Sequence, residues 1–225
     1  MKKVISFSVW GTNPKYTVGA VKNAKLAQTL FPDWICRFYI GQSTISGSKR
    51  VMKELRKLNN VEIIEMNEEG DWTGMFWRFL PASDPEVDVM ISRDTDSRLT
   101  VREKFAVEQW FESDKSFHII RDHPFHSAKI MGGMWGARGE ILFDMSELID
   151  EYKKGDFWQV DQNFLSEIVF DKIKDDCFVH DEFFSNNPIN FPRENYEFIG
   201  QVFDGGDVTV PEHVAVLRQY LENKK

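Results

Sequence analysis

Apolar residues along the chain switch repeatedly between strand-like runs and helix-like stripes. Short apolar runs bounded by turn residues predict strands at residues 4–10, 34–40, 61–66, 87–92, 117–121 and 177–180. Helical spacing predicts one helix with Ala20, Ala24, Ala27 and Phe31, stopped by Pro32, another with Val51, Met52, Leu55 and Leu58, and further helices over 71–80, 140–153, 158–172 and 211–221. Alternating strands and helices are typical of an open α/β sheet with helices on its faces. The sequence has no internal repeat or linker, so we expect a single domain over residues 1–225.

The connections between these elements hold most of the candidate chemistry. Glycine, serine, asparagine and proline predict loops over 41–48, 122–126, the glycine-rich 132–136 and 181–195. Strand 87–92 runs directly into Arg93-Asp94-Thr95-Asp96. Thr100 and Glu103 then form a capping box, in which the hydroxyl and the carboxylate satisfy free amides of a helix that reaches about residue 111. Regular structure therefore fixes both ends of the acidic segment.

Composition narrows the function classes. The formal charge of −8 repels a polyanion, so nucleic-acid binding is disfavoured. Cys36 and Cys177 match no zinc or redox spacing, which favours a reducing compartment. The apolar run after Met1-Lys2-Lys3 is too short for a signal peptide, and no segment approaches membrane-spanning length, so we expect a cytoplasmic protein.

Aromatic residues make up 14% of the chain, which indicates a dense core, a set of stacking platforms, or both. Most of them occupy periodic apolar positions and are predicted to be core. Trp10, Tyr16 and Trp135 lie instead where strands end or glycines cluster, so we predict that these three stack on a ligand.

Asp94 and Asp96 are the strongest candidates for a metal site. An apolar strand that ends in Asp-x-Asp delivers two carboxylates to the carboxyl edge of an α/β sheet, where such folds bind ligands. Mg²⁺ or Mn²⁺ is held there by one or two carboxylates and by phosphates of the ligand. A polar turn with side-chain-to-backbone hydrogen bonds explains the segment equally well. An EF-hand is excluded, because Leu99 and Phe105 stand where the loop needs glycine and glutamate.

Two other functions stay open. Asp94 follows an apolar strand and could be the nucleophile of an aspartate-dependent phosphatase. In such enzymes the motif usually lies on the first strand, whereas here it follows the fourth and Arg93 interrupts the apolar run. A non-catalytic module that binds a sugar or a nucleotide is the second alternative.

Five short elements in order resemble a GT-A type glycosyltransferase, a Rossmann-like α/β fold with a mixed sheet. They are the first strand Ile5–Trp10, Arg78 in a helix before the acidic strand, Asp94-Thr95-Asp96, the glycine-rich segment 132–136, and Asp161-Gln162-Asn163-Phe164-Leu165. The resemblance covers nearly the whole chain and is strongest to compact sugar-nucleotide transferases such as the capsid-modifying enzymes of large algal viruses (chloroviruses). It implies transfer of a sugar from a UDP-sugar to a glycan acceptor, with Mn²⁺ or Mg²⁺ as cofactor.

The resemblance also implies roles on the donor side. Residues expected near the nucleotide are Ser8, Trp10, Gly11, Tyr16, Arg78, Arg93, Asp94 and Thr95. Stacking of Trp10 or Tyr16 on the base is worth roughly 1–3 kcal/mol, although Trp10 also suits ordinary strand-end packing. Arg78 reaches the donor on this interpretation, and the alternatives are exposure to solvent or pairing with Glu69 or Asp71.

The remaining implied roles concern the metal and the transferred sugar. Asp94 and Asp96 hold the metal, and His180, at the end of a short strand, is the candidate for a third ligand; a structural histidine is an equal alternative. Asp161 and Gln162 lie under the sugar, and their similarity to an element of retaining enzymes implies retention. Residues expected near the sugar or the acceptor are Asp122, Gly132, Gly133 and Trp135. The first turn of a helix also favours a carboxylate such as Asp161 for purely structural reasons.

Overall fold

A mixed sheet forms the centre of the protein, in a computed structural model that describes residues 1–152, 155, 157–186, 188–189 and 191–224. Its strands are β1 (Lys3–Val9), β2 (Trp34–Ile40), β3 (Val61–Glu65), β4 (Val89–Arg93), β5 (Phe117–Arg121), β6 (Met134–Arg138) and β7 (Cys177–Asp181). The strand order is β3-β2-β1-β4-β6-β5-β7, and only β6 runs antiparallel to its neighbours. The carboxyl ends of β1, β4 and β5 therefore meet at one edge of the sheet.

Helices cover both faces of the sheet. They are α1 (Pro14–Leu30), α2 (Gln42–Gly47), α3 (Lys49–Leu55), a 3₁₀ helix (Trp72–Ser83), α4 (Val101–Glu112), α5 (Met145–Glu151), α6 (Val160–Phe164), a π-helical turn (Leu165–Val169), α7 (Phe170–Ile173) and α8 (Pro211–Asn223). One core cluster packs α1, α3 and α4 on one face of the sheet. A second cluster packs the 3₁₀ helix, α5, α6 and α7 on the other face. Alternation along β1 explains this division, since Ile5 and Phe7 belong to the first cluster and Val4 to the second.

The predicted fold class is confirmed, and most element predictions agree with the structure. The loop predicted over 41–48 contains α2, and residues 134–136 of the predicted glycine-rich loop belong to strand β6. The helix predicted to stop at Pro81 is a 3₁₀ helix that continues to Ser83. The helix predicted over 140–153 spans only α5, and Lys153 lies outside the described residues, as do Asn187 and Asn190 of the predicted loop 181–195.

The predicted capping box joins Thr100 and Glu103. The Thr100 hydroxyl accepts a hydrogen bond from the Glu103 amide at 3.1 Å, as expected. The Glu103 carboxylate interacts with the Thr100 backbone, as the capping box predicts, and also forms a buried ion pair with Arg93. This ion pair turns the Arg93 side chain into the protein interior.

Within the described residues, no helix is both long and apolar enough to cross a membrane.

Candidate active site

A cavity of about 920 Å³ opens at the carboxyl edge of β1 and β4. Ser8 and Val9 reach it from the end of β1, and Asp94, Thr95 and Asp96 reach it directly after β4. The two strands pair in parallel, so their ends lie side by side. The predicted placement of the acidic segment at this edge agrees with the structure.

Arg78 joins two carboxylates in the cavity. One terminal nitrogen of its guanidinium donates to Asp94 Oδ1, and Nη2 donates to Asp161 Oδ2 at 2.7 Å. The backbone amide of Arg78 donates to the Ser8 hydroxyl at 3.0 Å. Arg78 is 6% exposed and Asp161 2% exposed, so these two side chains are desolvated, whereas the Asp94 side chain is 41% exposed. Arg78 thus pairs with carboxylates, as one of the alternatives predicted. Its partners, however, are Asp94 and Asp161 and not Glu69 or Asp71.

Asp96 lies beside this cluster with a different cation. Lys15, in the first turn of α1, places its Nζ 2.8 Å from Asp96 Oδ2. Burial, reinforced by the negative charge of Asp94, raises the pKa of Asp96 above its ordinary value. Burial also raises the pKa of Asp161, although the charge of Arg78 opposes it. Desolvated carboxylates that repel one another raise the free energy of a site. A bound cation lowers that free energy, because it compensates their charge.

Gly132 and Gly133 pack directly against these carboxylates. A Cβ built on Gly132 would overlap the Asp161 carboxylate and the Arg78 guanidinium, and one built on Gly133 would overlap the Asp94 carboxylate. The segment before β6 therefore approaches the cluster as closely as backbone can, and glycine is required by contact rather than by the backbone angles of a turn.

Replacement of Gly133 by alanine is expected to displace the Asp94 carboxylate and to reduce the turnover proposed below by about 100-fold, since a shift of about 1 Å in a catalytic group has an effect of that size. Steady-state kinetics and thermal unfolding would separate this local effect from loss of fold. Gly206→Ala is the matched control, because only Asp204 Oδ1, at 3.3 Å, comes close to a Cβ there. Equal activity of both variants would contradict the assignment.

Gln162 places an unpaired polar atom beside the cavity. It follows Asp161 in the first turn of α6, which begins after Gln159 in a left-handed conformation with φ 71°. Its Oε1 is buried without a hydrogen-bond partner among the described residues. An unpaired buried amide oxygen is costly unless a ligand supplies the donor. Gln162 is part of the cavity lining, so its amide lies next to a ligand bound there.

Two of the predicted stacking residues line the cavity. Trp10 packs edge-to-face on Trp77 with ring centroids 6.1 Å apart, and Tyr16 is 38% exposed. Gly11 does not line it; with φ of +73° it turns the chain away from the sheet edge, and its amide donates to the Ser43 hydroxyl at 2.8 Å.

Two predicted ligand residues belong to the core instead. Arg93 and Glu103 are both 2% exposed and pair with each other, so the arginine cannot reach a donor in the cavity. Trp135 is fully buried and stacks on Phe117 at 5.3 Å, because strand β6, which the sequence did not predict, turns it into the sheet interior.

His180 and Asp122 are also placed away from the predicted roles. His180 is buried, with Nδ1 2.8 Å from His118 Nε2 and Nε2 2.7 Å from Gln109. Both ring nitrogens are thus occupied and His180 does not line the cavity. Asp122 is fully buried and holds Arg102 and other groups described below, so it is a structural anchor rather than an acceptor ligand.

The residues present fit a divalent cation held partly by a ligand. No group of three or more histidine, cysteine or acidic side chains in the described part of the chain could enclose a metal. Asp94 and Asp96 offer two oxygen ligands, which is the set that Mg²⁺ and Mn²⁺ use when phosphates and water complete the shell. The third, histidine ligand predicted at position 180 has no counterpart in this arrangement.

Sequence reasoning missed several residues of the cavity. Asp71 lines the cavity, and Lys15 lies next to it through its ion pair with Asp96. Lys15 had a usable signal, since α1 begins just after β1 and its first turn must lie at the same edge of the sheet. His213 also lines the cavity, and its distance along the chain gave no signal for it. His123 and His126 line it too, and their segment, residues 121–126, is interpreted from the sequence as substrate-binding or structural.

No family model and no curated protein matches the sequence. Solved structures share the fold at low identity. A glycosyltransferase involved in the glycosylation of the major capsid of PBCV-1 is 15% identical with a TM-score of 0.53, and the match covers 80% of this chain and 82% of that one. A mannosyltransferase from Pyrobaculum calidifontis, in complex with GDP-Man and Mn²⁺, is 13% identical with a TM-score of 0.52 over 80% of this chain and 55% of that one.

The same fold also occurs in a protein that is named as a synthase rather than a glycosyltransferase. A 4-diphosphocytidyl-2C-methyl-D-erythritol synthase from Anaerococcus prevotii is 12% identical with a TM-score of 0.53, covering 98% of this chain and 96% of that one. The chain therefore has the mixed, Rossmann-like α/β sheet of the GT-A fold, and its reaction must be argued from its own site.

Proposed function

We propose that this protein is a metal-dependent glycosyltransferase that moves a sugar from a UDP-sugar to a carbohydrate acceptor with retention of configuration. The observation that carries the proposal is the bridge of Arg78 between Asp94 and Asp161, with Asp96 beside it, in a cavity at the ends of β1 and β4. This arrangement joins the acidic segment to the Asp161-Gln162 element, which are far apart in the sequence.

The charge balance of the cavity supports a metal cofactor. Four carboxylates, from Asp71, Asp94, Asp96 and Asp161, face the cations of Arg78 and Lys15. A nucleoside diphosphate is an anion and would be repelled by this excess of negative charge. Asp94 and Asp96 would hold Mn²⁺ or Mg²⁺, which would offset this excess of negative charge and would neutralise the charge that develops on the leaving diphosphate.

The chain's own residues then have distinct tasks. Asp161 fixes the Arg78 guanidinium, which is directed toward the donor phosphates or hydroxyls. Gln162 presents its free Oε1 to the sugar, where it stabilises positive charge developing at the anomeric carbon. The bond from that carbon to the diphosphate breaks, a bond to an acceptor hydroxyl forms, and the hydroxyl proton leaves with the diphosphate. Trp10 and Tyr16 flank the nucleotide base.

A donor panel tests the proposal. The purified protein is incubated with UDP-glucose, UDP-galactose, UDP-xylose and GDP-mannose, with Mn²⁺ or with EDTA, and nucleotide release is measured. We expect release from at least one UDP-sugar, dependent on the metal. Binding without release of any nucleotide would establish a non-catalytic module instead. Phosphate release with a phospho-aspartate at Asp94 would establish a phosphatase, and pyrophosphate release from CTP would point to synthase chemistry.

A further inference from the structure

Five aromatic rings form a second part of the cavity lining, which we call the aromatic wall: His123, Phe125, His126, Phe198 and His213. The first three follow the carboxyl end of β5, and the others come from the C-terminal segment. Because β6 separates β5 from β4, the wall lies beside the carboxylates along the sheet edge. No group of the reaction proposed above is placed on this wall.

The rings of the wall pack on one another. The His123 ring lies 4.4 Å from that of Phe198 and 5.9 Å from that of His213. Phe125 meets His213 edge-to-face at 5.7 Å, and His126 meets Phe198 at 5.9 Å. The Phe125 ring is 53% exposed, so it offers a face to a ligand.

Hydrogen bonds fix the orientation of two of the imidazoles. His123 Nδ1 accepts from the Phe125 amide at 3.0 Å, so its Nε2 carries the proton donated to the His213 carbonyl at 2.9 Å. His126 Nδ1 accepts from the Asp122 amide at 3.1 Å, which leaves the proton on Nε2. That N–H has no partner among the described residues. The wall thus combines ring faces with one unpaired donor, the usual make-up of a small-molecule site.

A buried ionic cluster holds the two halves of the wall together. The Asp122 carboxylate accepts from Arg102 at 2.6 Å, from Arg193 at 2.7 Å and from the Ile199 amide at 2.8 Å. It therefore ties the end of β5 to the residue that follows Phe198. A wall fixed before the ligand arrives loses little conformational entropy on binding.

The wall offers little positive charge to an anion. Burial lowers the pKa of His126 to about 3, and burial also lowers the pKa of His123. Among the described residues that line the cavity, Arg78 is the one permanent cation, and it is engaged by Asp94 and Asp161. A carboxylate or phosphate on a ligand would meet neutral rings and nearby aspartates.

We propose that the aromatic wall is the acceptor subsite and that it selects an uncharged sugar ring, stacked on Phe125 and hydrogen-bonded by His126 Nε2–H, over uronates and sugar phosphates. Its role as acceptor subsite rests on the proposed function, whereas its preference for neutral saccharides does not.

Histidine-ring NMR of the whole protein in the presence of Mg²⁺, which is diamagnetic, and UDP tests the preference without turnover. Methyl β-D-glucoside, galactoside and xyloside are titrated alongside methyl β-D-glucuronide. We expect at least one neutral glycoside to shift the ring signals of His123, His126 and His213, with the glucuronide binding at least tenfold more weakly. The buried His118 and His180 lie outside the cavity and serve as internal references.

A pair of phenylalanine variants completes the test. Phe125→Ala is expected to raise the glycoside Kd at least fivefold, whereas Phe143→Ala, which removes a 71% exposed ring outside the cavity, should leave it unchanged. The inference is overturned if no neutral glycoside moves the wall histidines, if the glucuronide binds as tightly, or if both variants behave alike. Failure of the proposed function would show instead as absent nucleotide release in the donor panel.

Discussion

The Asp96→Asn variant is expected to lose metal-dependent turnover by at least about 100-fold, equivalent to about 2.7 kcal/mol of transition-state stabilisation. Asp96 is buried and lies close to the negative charge of Asp94, and both raise its pKa. Its carboxylate therefore needs a neighbouring cation, such as Lys15, to stay ionised. The amide keeps the shape of the side chain but removes the negative charge that binds Mn²⁺ strongly. Metal that is lost or misplaced can no longer neutralise the leaving diphosphate.

Nucleotide release and thermal unfolding measure this effect separately. Mn²⁺ together with UDP should raise the wild-type Tm by about 5 °C through preferential binding to the native state, and by much less in Asp96→Asn. The exposed Asp114, which lies outside the cavity, provides the matched control Asp114→Asn. Wild-type turnover by Asp96→Asn, or an equal Tm shift in both proteins, would refute the metal site.

Acidification from pH 7 to pH 5 is expected to reduce the free energy of unfolding by about 4 kcal/mol through His126 and His180 alone. Burial lowers their folded pKa values to about 3 and about 4, against about 6.5 in the unfolded chain. Their contribution is therefore complete above about pH 6.5 and is lost as the pH falls below it, at about 2 kcal/mol per histidine down to pH 5. The burial-lowered pKa of His118 acts in the same direction.

Urea unfolding at several pH values checks this dependence, and His180→Gln removes one of the two groups while burial still lowers the pKa of its neighbour His118. His180 lies outside the cavity, and the raised pKa values of Asp96, Asp161 and Glu103, which act in the opposite direction, are common to both proteins. The wild type should lose about 2 kcal/mol more than the variant between pH 7 and pH 5. Equal losses would mean that His180 charges freely in the folded state.

Much of the fold could be predicted, because the spacing of apolar residues and the turn residues at strand ends are visible in short stretches of the sequence. The bounds of β2 and β5 coincide with their predicted runs. Strand β6 was missed because it begins just after Gly132 and Gly133, which read as a turn, whereas their small size serves contact with Asp94 and Asp161. Tertiary contact there overrides the local preference of glycine.

The candidate site was predictable only where a motif adjoins a strand end. Asp94 and Asp96 follow β4, so their position at the sheet edge could be inferred. The partners of Arg78 could not, because Asp161 is brought to it by the packing of α6 on the 3₁₀ helix. His180 was misassigned for the same reason: its neighbours His118 and Gln109 come from a strand and a helix whose pairing is not visible in the sequence.

The Lys15–Asp96 ion pair gives the proposed enzyme an internal competitor for its metal. Although burial lowers the pKa of Lys15, Asp96 holds it above its ordinary value, so the ammonium stays charged at neutral pH. A divalent cation must displace it, and a diphosphate bound with the cation gives the freed ammonium a new partner. Metal and nucleotide would then bind with positive cooperativity, each raising the affinity of the other by the same factor.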